Sequence, residues 1–92
     1  MFIMTGRDLI ESLDGAKYFT DPDYTEAIVG YTYDDRLVYS YSKMVMLLMK
    51  RDGMSFNDAR DFVDYNTIRS LNYEENAPIV LFEIWEVYYG IF

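Results

Sequence analysis

Between Thr5 and Gly15 apolar residues recur at helical spacing, Leu9, Ile10 and Leu13, behind Thr5-Gly6-Arg7-Asp8, which has the form of an N-terminal capping box. The pattern predicts a short first helix. From Lys17 to Tyr24 the chain is polar, includes Pro22 and reads as a loop. Ala27 to Tyr33 and Leu37 to Tyr41 are rich in Val, Ile, Thr and Tyr around a polar Asp34-Asp35-Arg36 turn, which predicts a hairpin. Ile28, Gly30 and Thr32 alternate with Val29, Tyr31 and Tyr33 across its two faces.

Ser40 or Ser42 is placed to cap a helix through Met44, Val45, Met46, Leu47, Leu48 and Met49, with Lys50 and Arg51 at its end and Gly53 beyond. It is apolar on nearly every side, which suggests burial against the sheet and also against a partner. Ser55-Phe56-Asn57-Asp58 repeats the capping logic for a third helix, with Ala59, Phe62, Val63 and Asn66 facing inward and one further turn over Thr67 to Leu71. Asn72 to Asn76 reads as a polar loop. After Pro78, the run Ile79-Val80-Leu81-Phe82 predicts a strand covered on both faces and extending through Ile84 and Trp85. The tail Val87 to Phe92 is apolar enough to require packing within the domain or across an oligomer interface. The expected architecture is α+β within a single domain, 1–92. A small sheet, made of a hairpin and a C-terminal strand, is packed by a helical hairpin and a short N-terminal helix.

Composition narrows function by subtraction. With no histidine and no cysteine, the chain lacks the side chains most used near neutral pH as base, nucleophile or soft metal ligand, and no Gly-rich phosphate loop is present. An enzyme is therefore the least favoured class, and no cofactor is expected. The carboxylates of Asp21, Asp23 and Glu26, and those of Asp34 and Asp35, are the only hard-cation candidates considered. The first set lacks a calcium-loop glycine and the second reads as turn chemistry, so no metal is expected. No secretory signal is read at the start, and no apolar run is long enough to span a bilayer, so a cytoplasmic location is expected.

Sixteen acidic against eight basic residues give a net charge of −8. That charge repels nucleic acid and anionic membranes but attracts a basic protein surface; it also serves solubility. Asp58, Asp61 and Asp64 recur every third residue on the third helix, and Asp8, Glu11 and Asp14 do so on the first. A three-residue step rises about 4.5 Å, so such stripes resemble a row of phosphates. They equally resemble the solvated face of an amphipathic helix. Asp58, Asp61 and Asp64 form the first candidate partner-binding set, with Asp34, Asp35, Glu74 and Glu75 added to it. Arg36 and Arg69, amid acids, are candidates for ion pairs, and ten tyrosines divide between sheet cover and contact surface.

The segment Tyr31 to Tyr73 and its flank carry a resemblance. Tyr39-Ser40-Tyr41-Ser42-Lys43-Met44, Met49-Lys50-Arg51-Asp52-Gly53-Met54-Ser55, Asp64-Tyr65-Asn66-Thr67-Ile68-Arg69-Ser70-Leu71 and Ala77-Pro78-Ile79-Val80 resemble small proteins of bacteriophages and prophages of Gram-positive and gut bacteria. The resemblance implies a phage context and the host bacterial cytoplasm. Small acidic phage proteins include inhibitors of bacterial defence, among them anti-CRISPR proteins that look like nucleic-acid mimics. The leading expectation is therefore an inhibitor binding a CRISPR effector or other defence nuclease through an acidic surface. The alternatives are a homo-oligomeric module built on the apolar tail and a binder of a small defence signal using tyrosines as a stacking wall.

Overall fold

Thr5 and Asp8 cap each other. The Thr5 hydroxyl accepts from the Asp8 N–H at 3.2 Å, and the Asp8 carboxylate accepts from the Thr5 N–H at 2.9 Å. The helix they open, α1, spans Gly6–Ser12, and the computed structural model that contains it describes residues 4–71 and 75–84. Gly6 is required by close approach: a Cβ there would lie 2.5 Å from the Thr25 carbonyl oxygen and 2.9 Å from the Ile28 Cβ. Those contacts lie in and just after a 3-10 turn, Thr25–Ala27, which takes Ala27 out of the predicted strand and buries it fully.

Strand β1 is Ile28–Tyr31 and β2 is Leu37–Ser40, paired antiparallel. Ile28 faces Tyr39 and Gly30 faces Val38, so Val29 is the extra residue of a bulge. The predicted alternation survives it: Ile28 and Gly30 are half-buried, whereas Val29 and Tyr31 are exposed. Thr32 and Arg36 close the turn, the Thr32 N–H bonding the Arg36 carbonyl at 2.9 Å. Asp35 then takes the left-handed conformation at φ 61, as a three-residue hairpin loop requires.

Ser40 ends β2 and caps α2, Tyr41–Asp52, by accepting from the Lys43 N–H at 3.3 Å. Met44, Val45 and Leu48 form its buried stripe. Met46, on the other face, is 49% exposed. Gly53, at φ 68, ends the helix with no obstruction to the turn, and Ser55 caps α3, Phe56–Phe62. Here the backbone departs from prediction. Val63–Ile68 is π-helical, with wider turns than an α-helix. The widening carries Thr67 inward, where its hydroxyl lies 3.0 Å from the Tyr24 hydroxyl, and leaves Asn66, expected inside, exposed.

Strand β3, Ile79–Leu81, returns parallel to β2, with Val38 opposite Ile79 and Ser40 opposite Leu81. The helical hairpin supplies the crossover that parallel pairing needs. The strand is shorter and more open than predicted. Among the described residues it has a strand on one side only, and Leu81 is exposed. Trp85 and the apolar tail lie outside the described residues.

The architecture is α+β: a mixed three-stranded sheet with the α2–α3 hairpin and α1 packed on it. Tyr24, Leu37, Tyr39, Met44, Leu48, Ala59 and Val63 are fully buried between the layers. Phe19 reaches the same core from the 17–24 loop, its ring edge-on to Tyr39 at 4.8 Å and to Tyr24 at 5.7 Å. Its N–H also donates to the Tyr39 hydroxyl at 3.2 Å, so a polar segment is pinned by one aromatic residue. Burial pushes both phenols above their ordinary pKa, keeping them neutral hydrogen-bonding groups. Among the described residues no helix is long and apolar enough to cross a membrane.

Candidate partner-binding site

The acids of the third helical stripe do not behave alike. Asp58 sits in the first turn of α3, its N–H donating to the Ser55 hydroxyl at 3.1 Å while its side chain stays exposed. Its carboxylate there also suits the positive end of the helix. Asp61 is exposed one step along, with no hydrogen-bond or ion-pair partner among the described residues. Asp64 lies past the change to π-helical backbone, half-buried, and accepts from the Tyr41 hydroxyl at 2.8 Å. Burial, followed by this bond and the carboxylate's charge, drives the Tyr41 phenol well above its ordinary pKa. The Tyr41 ring in turn stacks on Phe82, centroids 4.3 Å apart. Tyr41 therefore ties α2 to the π segment through Asp64 and to the residue after β3 through Phe82, leaving Asp58 and Asp61 as the open pair.

The cations beside this face do not neutralise it. Arg60 lies over the Phe56 ring at 5.7 Å, and Arg69 lies over Tyr65 at 5.3 Å. Arg36, the other expected ion-pair former, donates its Nε–H to the Ala77 carbonyl at 2.9 Å. Among the described residues, Arg36 thus acts through a backbone hydrogen bond and Arg69 through a ring contact.

Asp34 and Asp35 form a second, separate group at the hairpin tip, both exposed. The Thr32 hydroxyl donates to the Asp34 carboxylate and holds its pKa below the usual range. The Arg36–Ala77 bond brings this tip beside the chain entering β3, where Glu75 is exposed; Glu74 lies outside the described residues. The tip adjoins Leu37 and the Tyr41–Asp64–Phe82 cluster adjoins Ser40. A strand rises about 3.3 Å per residue, which puts these ends of β2 roughly 10 Å apart. The two groups therefore occupy different ends of the sheet.

On α1, Asp8 is committed to the Thr5 cap, which lowers its pKa, while Glu11 and Asp14 are exposed. The tyrosines divide as well: Tyr24 and Tyr39 are core, and Tyr18, Tyr31, Tyr33 and Tyr65 are exposed. The role of Tyr41 was not readable from its place at the end of the predicted strand, since its partners lie 23 and 41 residues along the chain. The sequence matches no protein-family model, and comparison with curated proteins and with solved structures returns no match.

Proposed function

We propose that this chain works as a binding protein whose acidic surface occupies a basic, nucleic-acid-binding site on a protein partner. In the phage context implied by the sequence resemblance, the partner is a bacterial defence complex, with a CRISPR effector as the first candidate. The observation that carries the reading is the open face of α3. Asp58 and Asp61 are exposed there without ion pairs among the described residues, and the neighbouring Arg60 and Arg69 lie over aromatic rings. Unpaired carboxylates on a rigid helix steer association with a basic surface and lose that effect in salt.

Co-purification of the tagged chain with a panel of CRISPR effectors, each with and without guide RNA and target DNA, tests the proposal. Salt-sensitive capture that target DNA abolishes is expected. Capture that survives target DNA would contradict competition for a nucleic-acid site.

A second reading, a homo-oligomeric module, draws on the apolar end of the described chain, where Phe82 is 55% and Ile84 88% exposed. Solution mass measured with and without residues 85–92 separates the two: a monomer in both forms excludes the module.

A further inference from the structure

A cavity of about 370 Å³ opens between α1, the 3-10 turn and the end of α2, and none of its lining residues belongs to the acidic stripe on α3. Its wall comes from Thr5, Gly6 and Arg7, from Asp23, Thr25, Glu26 and Ile28, and from Arg51. Within a chain of net charge −8 this is a place where charge cancels: two arginines and two acids line the same wall, with Arg7 and Arg51 both near enough to act on the Asp23 carboxylate. Arg51 is held in position, donating to the Asp23 carbonyl at 2.6 Å, which leaves its other N–H groups available. Arg7 has no hydrogen-bond or ion-pair partner among the described residues, so its full fork of donors is unused. Asp23 has one carboxylate oxygen fixed by the Thr25 N–H at 2.9 Å and by the Thr25 hydroxyl. Both arginines also help hold the Asp23 carboxyl below its ordinary pKa, after the Thr25 hydrogen bonds.

Each half of this wall asks for a different group. Paired guanidiniums match the oxygens of a phosphate monoester, which carries about −1.5 to −2 charge at pH 7. Ionised Asp23 and Glu26 only accept, so they repel a bare anion and need hydroxyl donors beside it. The lining contains no aromatic ring, and Ile28 is its one large apolar side chain, so nothing here stacks a nucleobase. The volume falls within the range of small-ligand pockets. We propose that this cavity binds a small phosphorylated polyol or sugar, with its phosphate on Arg7 and Arg51 and its hydroxyls on Asp23 and Glu26. The site is independent of the acidic face on α3 and does not require that reading.

Nuclear magnetic resonance titration of the isotope-labelled full chain tests this with glucose 6-phosphate, inorganic phosphate, glucose and adenosine monophosphate as probes. Glucose 6-phosphate should saturably shift the backbone amides of Arg7, Thr25 and Glu26, with the other three probes weaker by about tenfold or more, the equivalent of one charge-assisted hydrogen bond. Arg7→Gln should weaken glucose 6-phosphate by a similar factor, whereas Arg60→Gln, which removes the same charge elsewhere, should not. Arg51→Gln, which also loses the bond to Asp23, is read only alongside its melting temperature. Inorganic phosphate as tight as glucose 6-phosphate would overturn the carboxylate half of the proposal. Adenosine monophosphate binding more tightly would overturn the ligand class. Equal effects of Arg7→Gln and Arg60→Gln, or no saturable shift with any probe, would overturn the site.

Discussion

The outer face of α3 and the arginine cavity are built in opposite ways. The face comes from a single helix, its acids Asp58 and Asp61 are open to solvent, and the cation between them, Arg60, lies over the Phe56 ring. The cavity is assembled from three separate stretches of chain, its charges are mixed and the backbone is drawn tight around it at Gly6. The difference explains what each can recognise. An open, mainly acidic surface suits a broad charged partner and discriminates little by shape, whereas a concave wall of mixed charge selects a small molecule by the order of its groups.

The sharpest break is at Gly6, on the cavity side. Gly6→Ala places a Cβ against backbone at Thr25, which cannot yield as a flexible side chain would, and should destabilise the fold by roughly 1–3 kcal/mol. Chemical denaturation reads it; a stability equal to wild type would mean that α1 is not packed so closely on the turn. The next largest effect falls on the α3 side. Tyr41→Phe strips Asp64 of its phenol partner and should cost about 1–2 kcal/mol, with Asp64→Asn recovering part of the loss in the double variant. Additive losses would show that the two side chains are not coupled.

Acid separates the regions further. Hydrogen bonds hold the carboxyls of Asp8, Asp23 and Asp34 below the ordinary value of 3.8 in the folded chain. Each depressed group contributes stability that is complete above its unfolded pKa and is lost as pH falls through the folded one. The melting temperature should therefore decline below about pH 4, and less steeply in Asp8→Asn. On the open α3 face Asp61 makes no side-chain hydrogen bond among the described residues, so Asp61→Asn is the contrasting variant. Its effect on stability at neutral pH should be the smallest of all, within about 0.5 kcal/mol.

The same contrast sets what could be read from the sequence. The two capping residues Thr5 and Ser55, the terminator Gly53 and the Asp34-Asp35 turn act on their own neighbours, and each signals its element locally. The acid spacing on α3 was equally visible. What it could not show was the π-helical stretch after Phe62, because nothing in Val63-Asp64-Tyr65-Asn66 distinguishes a widened turn from an α-turn until Thr67 meets Tyr24 and Asp64 meets Tyr41. The stripe of three therefore became a pair of open acids and one tether. β3 is similar: its apolar run signalled a strand, but whether each face is covered depends on what packs against it from elsewhere in the chain, and β3 is only half-buried to exposed. The convergence of Arg7 with Arg51 left no trace in spacing, since 44 residues separate them and it takes the packing of both α1 and α2 on the 3-10 turn to bring them to one cavity.

The most direct test of the acidic-face account compares the wild-type chain with the Asp58→Asn/Asp61→Asn double variant. Both substitutions leave the Tyr41–Asp64 tether and the Ser55 cap hydroxyl in place. Affinity for the captured effector should be measured over a series of salt concentrations. The account predicts a weaker affinity for the double variant at low salt, by roughly tenfold, and a shallower salt dependence, with melting temperatures nearly equal. An unchanged affinity and an unchanged salt slope in the folded double variant would contradict it.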